Sequence, residues 1–187
     1  MVVAARLPPD ALTTPWGAAP DSALQPMTAV LADAHVGALA GLWPLPGVAC
    51  HVVSAGADGS LRVWRLPDGS VSSRRTFSSA QTALCVATSA PLAALGSETG
   101  VVRVVGLSLD ESRPLPVLFR RRLHAGPVTH VAVSAGGEWV ASAGADGKLA
   151  LVALSAGGRG GRLLGYVACP HALTALTWPA VAPGGAG

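Results

Sequence analysis

Charge is scarce in this sequence. Only 12% of its 187 residues are Asp, Glu, Lys or Arg, against about 25% in ordinary globular chains. The net charge of +3 is too small to argue for nucleic acid by itself. Cysteine is sparse as well: Cys50, Cys85 and Cys169 lie far apart and form no CxxC pair. Neither a zinc site nor a disulfide framework is indicated, and a reduced, intracellular chain is the simpler reading. Aromatics make up 4%, so the aromatic residues that interleave with basic ones in a single-strand nucleic-acid binder are missing. The N-terminus meets Pro8 and Pro9 soon after Arg6 and lacks a continuous apolar run, which argues against a signal peptide. No pair of carboxylates and no His cluster stands out, so no catalytic centre, metal site or cofactor is expected. The glycine-rich GGRGG at 157–161 lacks the GK[ST] ending of a phosphate loop and reads as a hairpin loop.

Apolar residues, by contrast, make up half of the chain. That is enough for one domain with a sizeable core, and short strands buried on both faces would give such a composition. Val36 to Ala57 carries no charged residue and is long enough to span a bilayer. Pro44, Pro46, His51 and several glycines interrupt it, so a membrane reading is not favoured. The stretch His124 to Leu154 shows what the apolar residues do. Short β-prone runs are punctuated there by Ser-Ala-Gly-Gly and Gly-Ala-Asp-Gly, which predicts a three-stranded meander. The plan recurs from His35, and SAGADG occurs at Ser54–Gly59 and again at Ser142–Gly147, 88 residues on. A weaker copy lies between them (ALCVATSA, PLAALGSETG, VVRVVGLS). The period is therefore about 44 residues, within the range of four-stranded propeller blades.

These residues resemble the WD40-repeat family over about Thr28 to Trp178. The resemblance implies an all-β fold, a partial β-propeller of three full four-stranded blades with flanking strands. Blade one is expected over about 38–78, blade two over 82–123 and blade three over 127–169. Thr28 to Ala34 is expected as the outer strand of a preceding blade, and Leu173 to Trp178 as the first strand of the next. Residues 1–27 read as a flexible Pro/Ala-rich leader and 179–187 as a Pro/Gly tail. Three blades cannot close a ring that typically needs 4–8. The expectation is an open arc, part of a longer protein or completed by a partner chain.

The resemblance also implies a buried hydrogen-bond relay in each blade, from a His before the first strand through a Ser and an Asp to a Trp. Blade one matches fully with His35, Ser54, Asp58 and Trp64, although Arg65 stands where the family's Trp-Asp dipeptide has Asp. Blade three keeps His124, Ser142 and Asp146, with Val152 in the Trp place. In blade two the four places hold Ser79, Leu95, Thr99 and Val105. His124, Ser142 and Asp146 are also the residue types of a nucleophilic triad. Their duplication at His35, Ser54 and Asp58 favours a structural role, so an enzyme is not expected. Arg74, Arg75, Arg120, Arg121 and Arg122 fall on expected outermost strands. They either protect sheet edges or form a basic rim for an acidic partner.

The order of motifs (VVSAGADGSLRVW, ALCVA, LAALGSETGVVRVV, FRRRLHAGPVTHVAVS) is similar to large WD40 proteins of cilia, flagella and centrioles. That resemblance implies a non-enzymatic scaffold in the cytoplasm, at an axoneme or centriole. Its partners would be tubulin or axonemal and centriolar subunits. A nucleic-acid-associated protein using the Arg clusters is the alternative.

Overall fold

The computed structural model describes residues 34–110, 114–171 and 173–179. These form twelve strands and one short 3-10 turn at Ala156–Gly158. Blade one comprises β1 (Leu39–Pro44), β2 (His51–Gly56), β3 (Ser60–Arg65) and β4 (Ser70–Thr76). Blade two comprises β5 (Gln81–Val86), β6 (Leu92–Ser97), β7 (Val101–Gly106) and β8 (Val117–Arg122). Blade three comprises β9 (Val128–Val133), β10 (Trp139–Gly144), β11 (Lys148–Leu154) and β12 (Gly161–Ala168). Each blade is a four-stranded antiparallel meander in sequence order. The first strands β1, β5 and β9 stand side by side, so β4, β8 and β12 are outermost. The expected all-β arc of three blades is what the chain forms, with no closed barrel.

The repeat extends to the irregularities. In every blade the register slips once between the first two strands and once between the last two, whereas the central pair is regular. Such bulges increase local twist. The turn between the second and third strands ends on Gly59, Gly100 or Gly147, all at positive φ (76°, 77° and 71°). Glycine takes that conformation without the Cβ penalty. The carbonyl of each of these glycines accepts from the residue that follows the outer strand: Phe77 at 2.9 Å, Leu123 at 3.0 Å and Cys169 at 2.8 Å. One turn thus fixes the outer strand of its own blade.

Alternation decides which neighbour each side chain meets. Val53, Ala55, Leu61 and Val63 of blade one pack against Leu84, Val86, Ala93, Leu95 and Val105 of blade two. On its other side blade two presents Cys85, Ala94, Val102 and Val104 to Val128, Val131, Val133, Val140 and Val152 of blade three. Blade two is covered on both faces, so every residue of β6 is buried. This explains its continuous apolar runs. Burial also holds the Cys85 thiol above its ordinary pKa.

Two expectations for the ends meet different outcomes. Leu173–Trp178 was expected as a first strand and forms none; residues 173–179 lack regular structure. A strand needs a neighbour for its backbone hydrogen bonds, and among the described residues no second strand follows it. The leading strand expected over Thr28–Ala34 falls, except for Ala34, outside the described residues. So do the leader over 1–27 and all but the first residue of the tail. No helix among the described residues is long and apolar enough to cross a membrane.

The seam between blades two and three makes a prediction. A Cβ on Gly96 would overlap the side chain of Val128 and stand 3.3 Å from the Cβ of Ala83. Val128 is β-branched and fully buried, so it has little room to rotate. Gly96→Ala should lower stability by about 1–3 kcal/mol through overpacking. Gly165→Ala, whose Cβ meets nothing within 4 Å, should leave stability unchanged or slightly raised. Urea melts of the two variants check this, and equal losses would show that the seam is loose at Gly96.

Candidate functional site

Two groups of polar side chains stand out from an otherwise apolar interior: the relays, and the arginines of the outer strands.

In blade one the indole N–H of Trp64 donates to the Ser54 hydroxyl at 2.7 Å. Ser54 lies 2.7 Å from Nε2 of His35, and Nδ1 of His35 lies 2.9 Å from Oδ1 of Asp58. Indole only donates and an ionised carboxylate only accepts. The protons therefore run one way: Trp64 to Ser54, Ser54 to Nε2, and Nδ1 to Asp58. Asp58 also accepts from the Ser60 amide at 3.0 Å, the Ser60 hydroxyl at 2.8 Å and the Arg62 guanidinium at 3.0 Å. Burial pushes its pKa up, but the bonds from His35, Ser60 and Val36 outweigh it and hold the carboxyl well below the ordinary range. In blade three Ser142 and His124 lie 2.9 Å apart, and His124 and Asp146 3.0 Å apart. Burial again raises the Asp146 pKa. The Ala125 amide and His124 bring it below the ordinary value. Val152 has no proton to donate, so this relay stops at Ser142.

Glycine makes room for each imidazole. A Cβ at Gly56 or Gly144 would run into the ring of His35 or His124. Ser54 and Ser142 are 2% and 0% exposed. A nucleophilic hydroxyl needs substrate access, which neither has. The arrangement can order a turn against a strand; it offers no route for acyl transfer. Among the described residues no group of three or more His, Cys, Asp or Glu could hold a metal ion.

Sequence reasoning missed two members of these networks and one buried arginine outside them. Ser60 and Arg62 share a face of β3 with Trp64, and Arg62 also stacks over the Trp64 ring at 5.7 Å. Alternation along SLRVW would have placed them there. Arg103 takes the Arg62 position in blade two. With Leu95 and Val105 in the Ser and Trp places, it has no relay to join. Instead it reaches the Ser79 hydroxyl at 3.4 Å and lies over the ring of Phe77 at 4.9 Å. Thr99 bonds within its own turn, to Ser97 at 3.1 Å. Arg65, in the place of the family's Asp, turns outward to Asp68.

The rim arginines divide. Arg74, Arg120, Arg121 and Arg122 are exposed, and Arg75 is half-buried. Arg75 donates to the Leu115 carbonyl at 2.6 Å and ties β4 to the loop before β8. Arg122 makes long bonds, 3.4 Å each, to the His124 and Ala125 carbonyls. The five residues thus lie on two adjacent outer strands, β4 and β8, and two of them also brace loops.

Residues 117–151 match the family model "WD domain, G-beta repeat", a span that runs from β8 to β11 and holds His124, Ser142 and Asp146. The chain is also 43% identical over 166 residues to Cilia- and flagella-associated protein 43 of Chlamydomonas reinhardtii. That match covers 80% of this chain and 10% of the relative.

The relays make a prediction about stability and pH. Both Asp58 and Asp146 are held below the ordinary carboxylate value of 3.8. Their contribution is therefore fully present above about pH 5 and is lost as pH falls through about 4 toward the folded-state value. Asp58→Ala strands His35, Ser60 and the partly buried Arg62. It should lower stability at neutral pH by roughly 1–3 kcal/mol, more than Asp146→Ala does. It should also flatten the fall in stability below pH 5. Denaturant melts at pH 7 and pH 4 measure both, and equal losses for the two variants would mean that Trp64, Ser60 and Arg62 add nothing.

Proposed function

Because this chain belongs to the WD40-repeat family, we propose that it is a non-enzymatic protein-docking scaffold that serves in a cilium or flagellum. The observation that carries the reading is the likeness to a cilia- and flagella-associated protein over 80% of the chain. Since the match spans 10% of that relative, the chain acts in this reading as one part of a larger propeller assembly. The remaining blades come from the same longer protein or from a partner. The buried relays support a scaffold rather than an enzyme, because their hydroxyls face no solvent.

The docking surface in this reading is the basic rim of β4 and β8, with Arg74, Arg75, Arg120, Arg121 and Arg122. Its partners are axonemal or centriolar proteins with acidic surfaces, tubulin among them. Exposed charges steer such encounters and are screened within about 10 Å at moderate salt.

The tagged protein, expressed in a flagellated cell, should stay with the axoneme after detergent removes membrane and soluble matrix. Changing Arg120, Arg121 and Arg122 together to Ser should release much of it at low salt, and added salt should release the unaltered protein in parallel. Recovery wholly in the detergent-soluble fraction would overturn the ciliary reading. Retention insensitive to both salt and the triple change would remove the rim from it.

A further inference from the structure

Strand parity fixes where the arginines of the outer strands point. Arg75 stands opposite Leu61, a member of the apolar cluster between blades one and two, and so faces that seam. Arg120 stands opposite Arg103, which shares its face of β7 with Val105 of the same cluster. Three guanidiniums from β4, β7 and β8 therefore meet at one seam, with Phe77 between two of them. The Arg103 Cζ lies 4.9 Å and the Arg75 Cζ 5.9 Å from its ring centroid.

Among the described residues nothing balances the charges there. Arg103 is 4% exposed, and its Nη1 is buried without a hydrogen-bond partner. Among the described residues no carboxylate lies within ion-pair distance of Arg75, Arg103 or Arg120. Glu98, in the turn between β6 and β7, accepts from the Ala80 amide instead. Like charges directly opposite across an antiparallel pair repel, and an unpaired buried guanidinium is unfavourable. Burial and the charge of Arg120 both hold the Arg103 pKa below its ordinary value. An anion supplied from outside would offset both terms.

We propose that the seam between blades one and two, floored by Arg103 and Phe77 and flanked by Arg75 and Arg120, is a receptor for the carboxylates of an acidic peptide segment in a partner protein. The inference rests on the scaffold reading and narrows its rim to one seam. Arg120, the exposed member, makes the contact through its planar fork. Arg103 is a positioning residue that contributes its charge from beneath and holds the Phe77 ring. Two guanidiniums already lie over the Phe77 ring, where a base would stack, which favours a peptide over a nucleic acid.

Fluorescence anisotropy at low ionic strength tests this with the whole chain and three labelled probes: a peptide of about ten glutamates, the same length of glutamine, and an oligothymidine. The glutamate peptide should bind and the glutamine peptide should not. Arg120→Gln should weaken binding about fivefold, the order expected for losing one charge-assisted fork at an exposed site. Arg103→Lys keeps the charge and removes the planar stack; it should weaken binding about threefold. Arg74→Gln, on the opposite face of β4, should stay within about twofold of the unaltered chain. Should Arg103→Lys fail to fold, as read by circular dichroism, Arg120→Gln and Arg120→Glu decide the matter. Equal binding of the two peptides, indifference to Arg120, or tighter binding of the oligothymidine overturns the proposal. Axonemal retention without peptide discrimination sinks the seam alone, whereas peptide discrimination without retention sinks the ciliary reading alone.

Discussion

Each blade is a thin sheet with two apolar faces, and only its neighbours can cover them. That constraint organises the whole arc. It explains why blade two carries apolar runs such as LAALG and, broken only by Arg103, VVRVV, and why glycine stands at Gly96, where Val128 of the next blade presses on the backbone. It also explains the composition: sheets buried on both sides leave few places for charge. The charged residues are mostly pushed into turns, onto outer strands, or into hydrogen-bonded networks.

The relays are the third solution. A partly buried Asp must be satisfied, and each relay does so with a His, neighbouring amides and, in blade one, Ser60 and Arg62. The network joins the segment before the first strand to the turn between the second and third, which the backbone alone leaves weakly tied. Blade two shows that the device is dispensable when removed as a whole. Leu95 sits where Ser54 and Ser142 sit elsewhere, and it belongs to the apolar cluster against blade one. With Ser79, Leu95, Thr99 and Val105 in the four relay places, no His, Asp or Trp is stranded, and such joint replacements can be nearly neutral; Arg103, in the Arg62 place, is what keeps an unpaired Nη1.

Much of this was legible in the sequence, and the reason is repetition. SAGADG recurring after 88 residues announced the blade period, and the family resemblance it carried then placed His35, Ser54, Asp58, His124, Ser142 and Asp146 in duplicated relays. What differs between copies was not legible that way. The place of Ser60 in blade one is taken by Lys148 in blade three, and that of Arg62 by Ala150, so no repeat flagged them. Arg103 looked like one more strand residue; only the packing of blade one against blade two shows it buried. The failure of Leu173–Trp178 to form a strand has the same root. Pattern marks a segment able to pair, but pairing needs a partner in space.

The outer strands raise a question that edge protection alone does not answer. A charged outer strand keeps a sheet edge from recruiting another chain, and β4 and β8 are charged. β12 is the longest of the three, at 8 residues, and carries a single charged residue, Arg162. Leu164, Tyr166 and Val167 are 40%, 46% and 60% exposed along it. If protection set the distribution of arginine, β12 would need it most. The charge is instead concentrated on the two strands that flank one seam, and part of it, Arg103, lies buried where it protects no edge. Selection against aggregation does not account for the buried Arg103. The acidic-peptide site proposed at that seam accounts for Arg75, Arg103 and Arg120 together, and leaves Arg74 and Arg121, on the other faces of β4 and β8, to edge protection.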